Sequence, residues 1–92
     1  MYLFFDTETT GLPKRWNAPV TDVDNWPRLV QLAWITYDNQ GNKLNSRDLI
    51  IRPEGFVIPP EVSRLHGITT LMAKEKGVPL QEAMDEFAEQ VD

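Results

Sequence analysis

Two carboxylates, Asp6 and Glu8, stand two residues apart in the apolar stretch FFDTETTGLP at residues 4–13. Side chains at i and i+2 of a strand point to one face, so the two acids converge while Thr7 faces away. Hard oxygen ligands paired at a strand end are what Mg²⁺ or Mn²⁺ requires. In phosphoryl transfer, two such ions about 3.5–4 Å apart activate a water and stabilise the leaving oxygen. That geometry takes a third and usually a fourth carboxylate. The spacing by itself equally fits ordinary strand-end acids, capped by nearby N–H groups or facing water. A buried, unpaired carboxylate is costly, so a buried strand here needs something to compensate both charges.

The surrounding chain must position this pair. Residues 2–7 are apolar and aromatic on both faces, which predicts a strand buried on both sides and central in its sheet. Residues 12–27 hold three prolines with Asn and Asp between them and show no periodicity, the pattern of a long loop. RLVQLAWITYD at 28–38 is rich in β-branched and aromatic residues. NQGN at 39–42 supplies hairpin turn chemistry, and 43–52 returns as an antiparallel partner that stops at Pro53. Helical patterns follow at 60–67, opened by proline and closed by Gly67, and at 69–77, with Thr69 or Thr70 as N-cap and Gly77 as stop. From Pro79 a third helix places Leu80, Ala83, Met84, Phe87 and Val91 on one buried face. It meets no stop signal, so the pattern reads as cut rather than finished.

Composition narrows the classes. At 92 residues one domain is the most the chain can form, and 41% apolar with 25% charged residues is ordinary for a globular protein. The net charge of −5 excludes polyanion binding through overall basicity. Residues 80–92 carry all of that excess, as Glu82, Asp85, Glu86, Glu89 and Asp92 without a Lys or Arg, so a local device must attract any phosphate. The lack of cysteine excludes a disulfide framework and thiolate metal sites. No signal peptide or membrane span is present in the pattern, and the cytoplasm is the expected compartment.

DTETTG at 6–11 resembles the first signature of the DnaQ-like, or DEDD, family of 3′→5′ exonucleases, D-x-E-T-T-G, at the end of the first strand. RLVQLAWITYD is similar to the family's second strand, and VIPPEVSRLHGIT to its I-x-x-E-x-x-x-x-H-G-I-T segment. The resemblance runs through nearly the whole chain. It implies an α/β fold of the ribonuclease-H-like exonuclease type, truncated after three antiparallel strands and the early helices. Residues 1–92 are then the N-terminal part of a single exonuclease domain, resembling DNA polymerase III epsilon-type exonucleases.

The resemblance also implies roles. Asp6 and Glu8 match the first two of four metal-binding acids, the first bridging two Mg²⁺ or Mn²⁺ ions and the second holding the ion that activates water. Thr10, Gly11 and Leu12 match the turn that holds the terminal nucleotide and its 3′-hydroxyl, and Thr7 is expected beside them as a substrate-binding residue. His66 matches the H-G-I-T element, ordering the loop beside the substrate cleft rather than acting as base. The implied partners are single-stranded DNA or RNA 3′ ends and, for a proofreading enzyme, a DNA polymerase. An alternative is a non-catalytic nucleic-acid-binding or polymerase-associated module of the same fold; another is an interaction domain whose acids bind nothing.

The departures are specific. The third and fourth acids and the His or Tyr that orients water are missing from these residues. Asp85 and Glu89 fall on the wet side of the last helix and do not replace them. The 12–27 loop is longer than the family's usual connection. Its Lys14 and Arg15 suit phosphates, and Trp16 or Trp26 suits either base stacking or packing of the loop onto the domain. DVDN at 22–25 lacks the glycine and the twelfth-position acid of a calcium loop. With two strands of the full sheet missing, the first strand is expected to expose an edge that favours self-association.

Overall fold

A computed structural model describes residues 1–91. Strands β1 (Tyr2–Thr9), β2 (Leu29–Tyr37) and β3 (Lys43–Ile50) form one antiparallel sheet in the order β1-β2-β3. Helices α1 (Pro60–His66), α2 (Thr70–Lys76) and α3 (Leu80–Val91) follow.

The period-two pattern of β2 decides the layering. Val30, Leu32, Trp34 and Thr36 are buried and the residues between them half-buried. Directly opposed residues in an antiparallel pair share a face, so Phe5 joins Trp34, Thr7 joins Leu32, and Leu49 of β3 completes the row. Ala83 of α3 packs into that row with Ile51, and Phe87 of α3 lies edge-on to Phe5 and tilted against Trp34, with centroids 5.5 and 5.3 Å apart. A second cluster of Val30, Ile58, Ile68 and Ala73 seats α2 at the end of the sheet. Arg47 of β3 donates to Glu86 of α3 through Nε and Nη2, and this partner holds the guanidinium pKa above its ordinary value. The pair is solvent-exposed and its contribution to stability is small.

β1 departs from the expectation of a central, doubly buried strand. It lies at one edge, and Tyr2, Phe4 and Phe5 are exposed. Its residues are apolar on both faces, yet among the described residues only β2 pairs with it and only α3 covers a face of it. The open edge leaves a row of unpaired main-chain groups.

Turns and caps follow the local chemistry. Asp38 accepts the N–H groups of Gln40 and Asn42, both at 2.9 Å, across the β2–β3 turn. These bonds, that of Asn42 foremost, hold its carboxyl pKa below the ordinary value. Gly67 ends α1 at φ 79°, a left-handed conformation that favours glycine, and its N–H reaches Ser63 O. Thr69 Oγ1 accepts Met72 N–H as the α2 N-cap, while Thr70 Oγ1 accepts Ile58 N–H at 2.9 Å and ties the helix to the preceding loop.

Gly77 is where α2 runs onto the sheet. Val78 N–H donates to Ile50 O and Arg52 N–H to Val78 O, both at 2.8 Å. A Cβ on Gly77 would strike the Ala73 carbonyl and stand 2.6 Å from Arg52 N. Both neighbours are main chain and cannot rotate away. Gly77→Ala is therefore expected to destabilise the fold by about 1–3 kcal/mol or more, read as a lowered urea midpoint with an unchanged slope.

Candidate active site

The site is built on the last residues of β1. Asp6 stands opposite Ala33 and Glu8 opposite Gln31. Both carboxylates share the face turned away from α3, as their spacing predicts, with Phe4 and Ile35 beside them. Asp6 is exposed and Glu8 half-buried. One oxygen of Asp6 accepts Thr7 N–H at 2.9 Å; among the described residues its second oxygen and both oxygens of Glu8 have no hydrogen-bond or ion-pair partner. Two adjacent acids thus keep free lone pairs on an uncovered surface, a donor set suited to a hard cation. Thr7 lies opposite Leu32, so its side chain sits on the α3 face and only its main chain serves the acid pair.

A register shift between Glu8 and Thr9 ends the strand and turns the chain. Thr9 Oγ1 donates to Gly11 O at 2.9 Å, and Gly11 takes φ 142°, where a side chain is strained. Thr10 closes the base of the following loop: its N–H donates to Arg28 O and its Oγ1 accepts Arg28 N–H, both at 2.9 Å. One lone pair of its hydroxyl is thus committed to the loop, and the O–H remains a donor. Leu12, immediately beyond, is 80% exposed.

His66 is not brought to the acids. It is the last residue of α1, where its Nδ1 accepts Ile68 N–H at 3.1 Å. Its Nε2 is buried without a partner among the described residues. The Ile68 bond ties the imidazole to the α1–α2 turn. No group of three or more His, Cys, Asp or Glu side chains placed to hold a metal occurs among the described residues.

One acid on the same face escapes a reading by motif. Asp48 of β3 also stands opposite Ala33, so it faces the same way as Asp6 one strand further on. It accepts the Gln31 side-chain amide at 2.6 Å. Alternate strands lie about 9.5 Å apart main chain to main chain, and Gln31 stands between the two acids as Asp48's partner. Only strand register reveals this relationship, because forty-odd residues separate the two in sequence.

The 12–27 loop is ordered by its own contacts. Asn25, 5% exposed, clamps the main chain of Arg15, accepting its N–H at 2.7 Å and donating to its carbonyl at 2.9 Å. Trp26 Nε1 donates to Pro19 O at 2.8 Å, so this tryptophan packs the loop. Trp16 does not; it is 74% exposed.

Three antiparallel strands followed by three helices, with the acid pair at the end of the first strand, form the opening part of a ribonuclease-H-like α/β exonuclease fold. The chain belongs to the RNase_T exonuclease family, whose profile matches residues 3–92. Among solved structures it is similar to Exonuclease I from Methylocaldum szegediense, at 28% identity and a TM-score of 0.74 over 96% of this chain and 17% of that one. E. coli Exonuclease I in complex with a 5cy-dT13 oligonucleotide shares the fold at 22% identity, with a TM-score of 0.72 and the same coverage. Exonuclease I described with SSB and the inhibitor CFAM matches at 26% identity and a TM-score of 0.61, over 84% of this chain and 15% of that one. The chain therefore spans about a sixth of the length of the exonucleases it matches. Comparison with curated protein sequences finds no match. No helix among the described residues is long and apolar enough to cross a membrane.

Proposed function

We propose that residues 1–92 are the N-terminal part of a single exonuclease domain, and that the protein hydrolyses phosphodiester bonds from the 3′ ends of single-stranded DNA or RNA, releasing nucleoside monophosphates. The observation that carries this reading is the pairing of Asp6 and Glu8 on an open face, immediately before the Thr10–Gly11 turn, in a chain of the exonuclease family. Both acids offer free oxygens suited to Mg²⁺ or Mn²⁺, and a two-ion site needs further acids, which are not grouped with them among the described residues. Such ions, when bound, activate water and stabilise the departing oxygen.

The protein residues have separate tasks. Asp6 and Glu8 hold the cation. Gly11, without a side chain, lets the main chain approach the terminal sugar, and the exposed Leu12 offers an apolar surface to the terminal nucleotide. Thr7 contributes its main chain beside Asp6, Thr10 fixes the turn through Arg28, and His66 orders the more distant α1–α2 turn.

The test is digestion of 5′-labelled single-stranded DNA and RNA by the full-length protein with Mg²⁺ or Mn²⁺. The expected product is a ladder shortening from the 3′ end and abolished by EDTA. Cleavage that persists in EDTA, or that starts at the 5′ end, would contradict the proposal. The rival reading is a non-catalytic binding module of the same fold. Tight strand binding without any metal-dependent cleavage would establish that rival.

A further inference from the structure

We propose that Trp16 is a stacking platform for a base of single-stranded DNA, upstream of the nucleotide held at the Gly11–Leu12 turn; this rests on the exonuclease reading above. The three tryptophans of the chain have different fates. Trp34 is buried in the core and Trp26 is bonded into its own loop, whereas Trp16 leaves 74% of its surface in water. An exposed aromatic on a floppy segment would carry no argument, but here the backbone is held before Trp16 at Lys14 and Arg15 and after it at Pro19, whose carbonyl accepts Trp26 Nε1–H and Asp22 N–H. Asn25 clamps Arg15, the residue directly before Trp16, through both main-chain groups, and Asn25 O also accepts Lys14 N–H at 3.1 Å. The loop's two ends are in turn bonded to each other by the paired bonds of Thr10 and Arg28. The indole is thus presented from a fixed frame, four residues beyond the exposed Leu12.

The surrounding charge selects the mode of binding. Arg15 lies 3.6 Å from Asp22, so part of its charge is already answered, and Asp24 lines the same hollow. Lys14 has no ion-pair partner among the described residues and remains for a phosphate. One free cation attracts a strand weakly, and a ring face supplies what charge does not. Stacking on an indole accepts any base, because every base presents a π-face, and this tolerance suits an enzyme that must pass successive nucleotides. The loop therefore adds a base-reading surface without adding a positive patch.

The experiment compares the full-length protein with Trp16→Ala and Trp16→Phe, in EDTA to prevent cleavage. Binding is read by fluorescence anisotropy on a labelled oligo-dT and on an abasic strand of equal length. Trp16→Ala is expected to weaken oligo-dT binding about tenfold or more, Trp16→Phe to retain most of it, and both to bind the abasic strand as the unsubstituted protein does. Unchanged oligo-dT affinity in Trp16→Ala would overturn the inference, as would an equal loss on both strands, which marks a general rather than a stacking effect. In those cases 3′ cleavage by the unsubstituted protein keeps the exonuclease reading intact. Failure of the unsubstituted protein both to bind and to cleave any strand would remove that reading and this inference together. Thermal melts of the variants, expected to superimpose because Trp16 is exposed, exclude unfolding as the cause.

Discussion

Asp6→Ala in the full-length protein is expected to reduce metal-dependent cleavage by on the order of a thousandfold or more while leaving the fold intact. Losing a ligand to a catalytic cation forfeits several kcal/mol of stabilisation for the charge that develops on the leaving oxygen, and each 1.4 kcal/mol or so is a tenfold change in rate. The structural cost is small by comparison. Asp6 is exposed at the edge of the sheet, and its only hydrogen bond among the described residues is to the N–H of Thr7 next to it. Surface substitutions of this kind move stability by about 0.5 kcal/mol. Activity and melting temperature should therefore separate cleanly. Asp48→Ala is the internal control: it removes an acid from the same face, but one held by Gln31 and a full strand away. Its activity should stay within a few-fold of the unsubstituted protein. Full activity in Asp6→Ala would remove the site assignment.

The second large effect is on the core. Trp34→Ala is expected to cost about 3–5 kcal/mol out of a total of about 5–15 kcal/mol for a domain of this kind. Trp34 is 3% exposed at the middle of β2, where it meets Phe87 of α3 and shares a cluster with Leu32, Leu49, Ile51 and Ala83. Removing the indole opens a void under the one helix that covers the sheet. The melting temperature should fall by roughly 15–30 °C, followed by far-UV circular dichroism because the buried tryptophan reporter is lost. Trp34→Phe isolates the cause. The indole Nε1 is buried without an acceptor among the described residues, and an orphaned donor of that kind costs about 1–3 kcal/mol. Phenylalanine removes the donor while keeping a ring against Phe87, so its net loss should stay below about 2 kcal/mol. A loss in Trp34→Phe as large as in Trp34→Ala would refute the void as the main cause.

Legibility from sequence tracked the range of the interactions involved. The alternation of β2 depends on neighbours two residues apart, and its buried residues are the ones that alternation selects. Caps and turns are equally local, as with Gly67, Thr69, Gly77 and the Asp38 turn, which fall where residue type places them. The convergence of Asp6 and Glu8 also follows from the strand period alone. The 12–27 loop resisted such a reading, because its order comes from Asn25 reaching back ten residues to Arg15. Trp16 and Trp26 look alike in sequence, and only that folded loop shows that one packs while the other is displayed.

Element order, the acid pair with its common face, and the exonuclease family that the D-x-E-T-T-G string signals are all legible in the residues alone. These rest on backbone periodicity, on turn chemistry and on a compact motif, all properties of adjacent residues. Only the folded chain shows that Asp48 joins the acidic face but is claimed by Gln31, that His66 Nδ1 holds Ile68 N–H, and that Trp16 faces solvent from a clamped loop. The first and last of these depend on strand register or on side chains meeting across many residues of chain. Such partners are chosen by packing, which brings together groups that no local pattern relates.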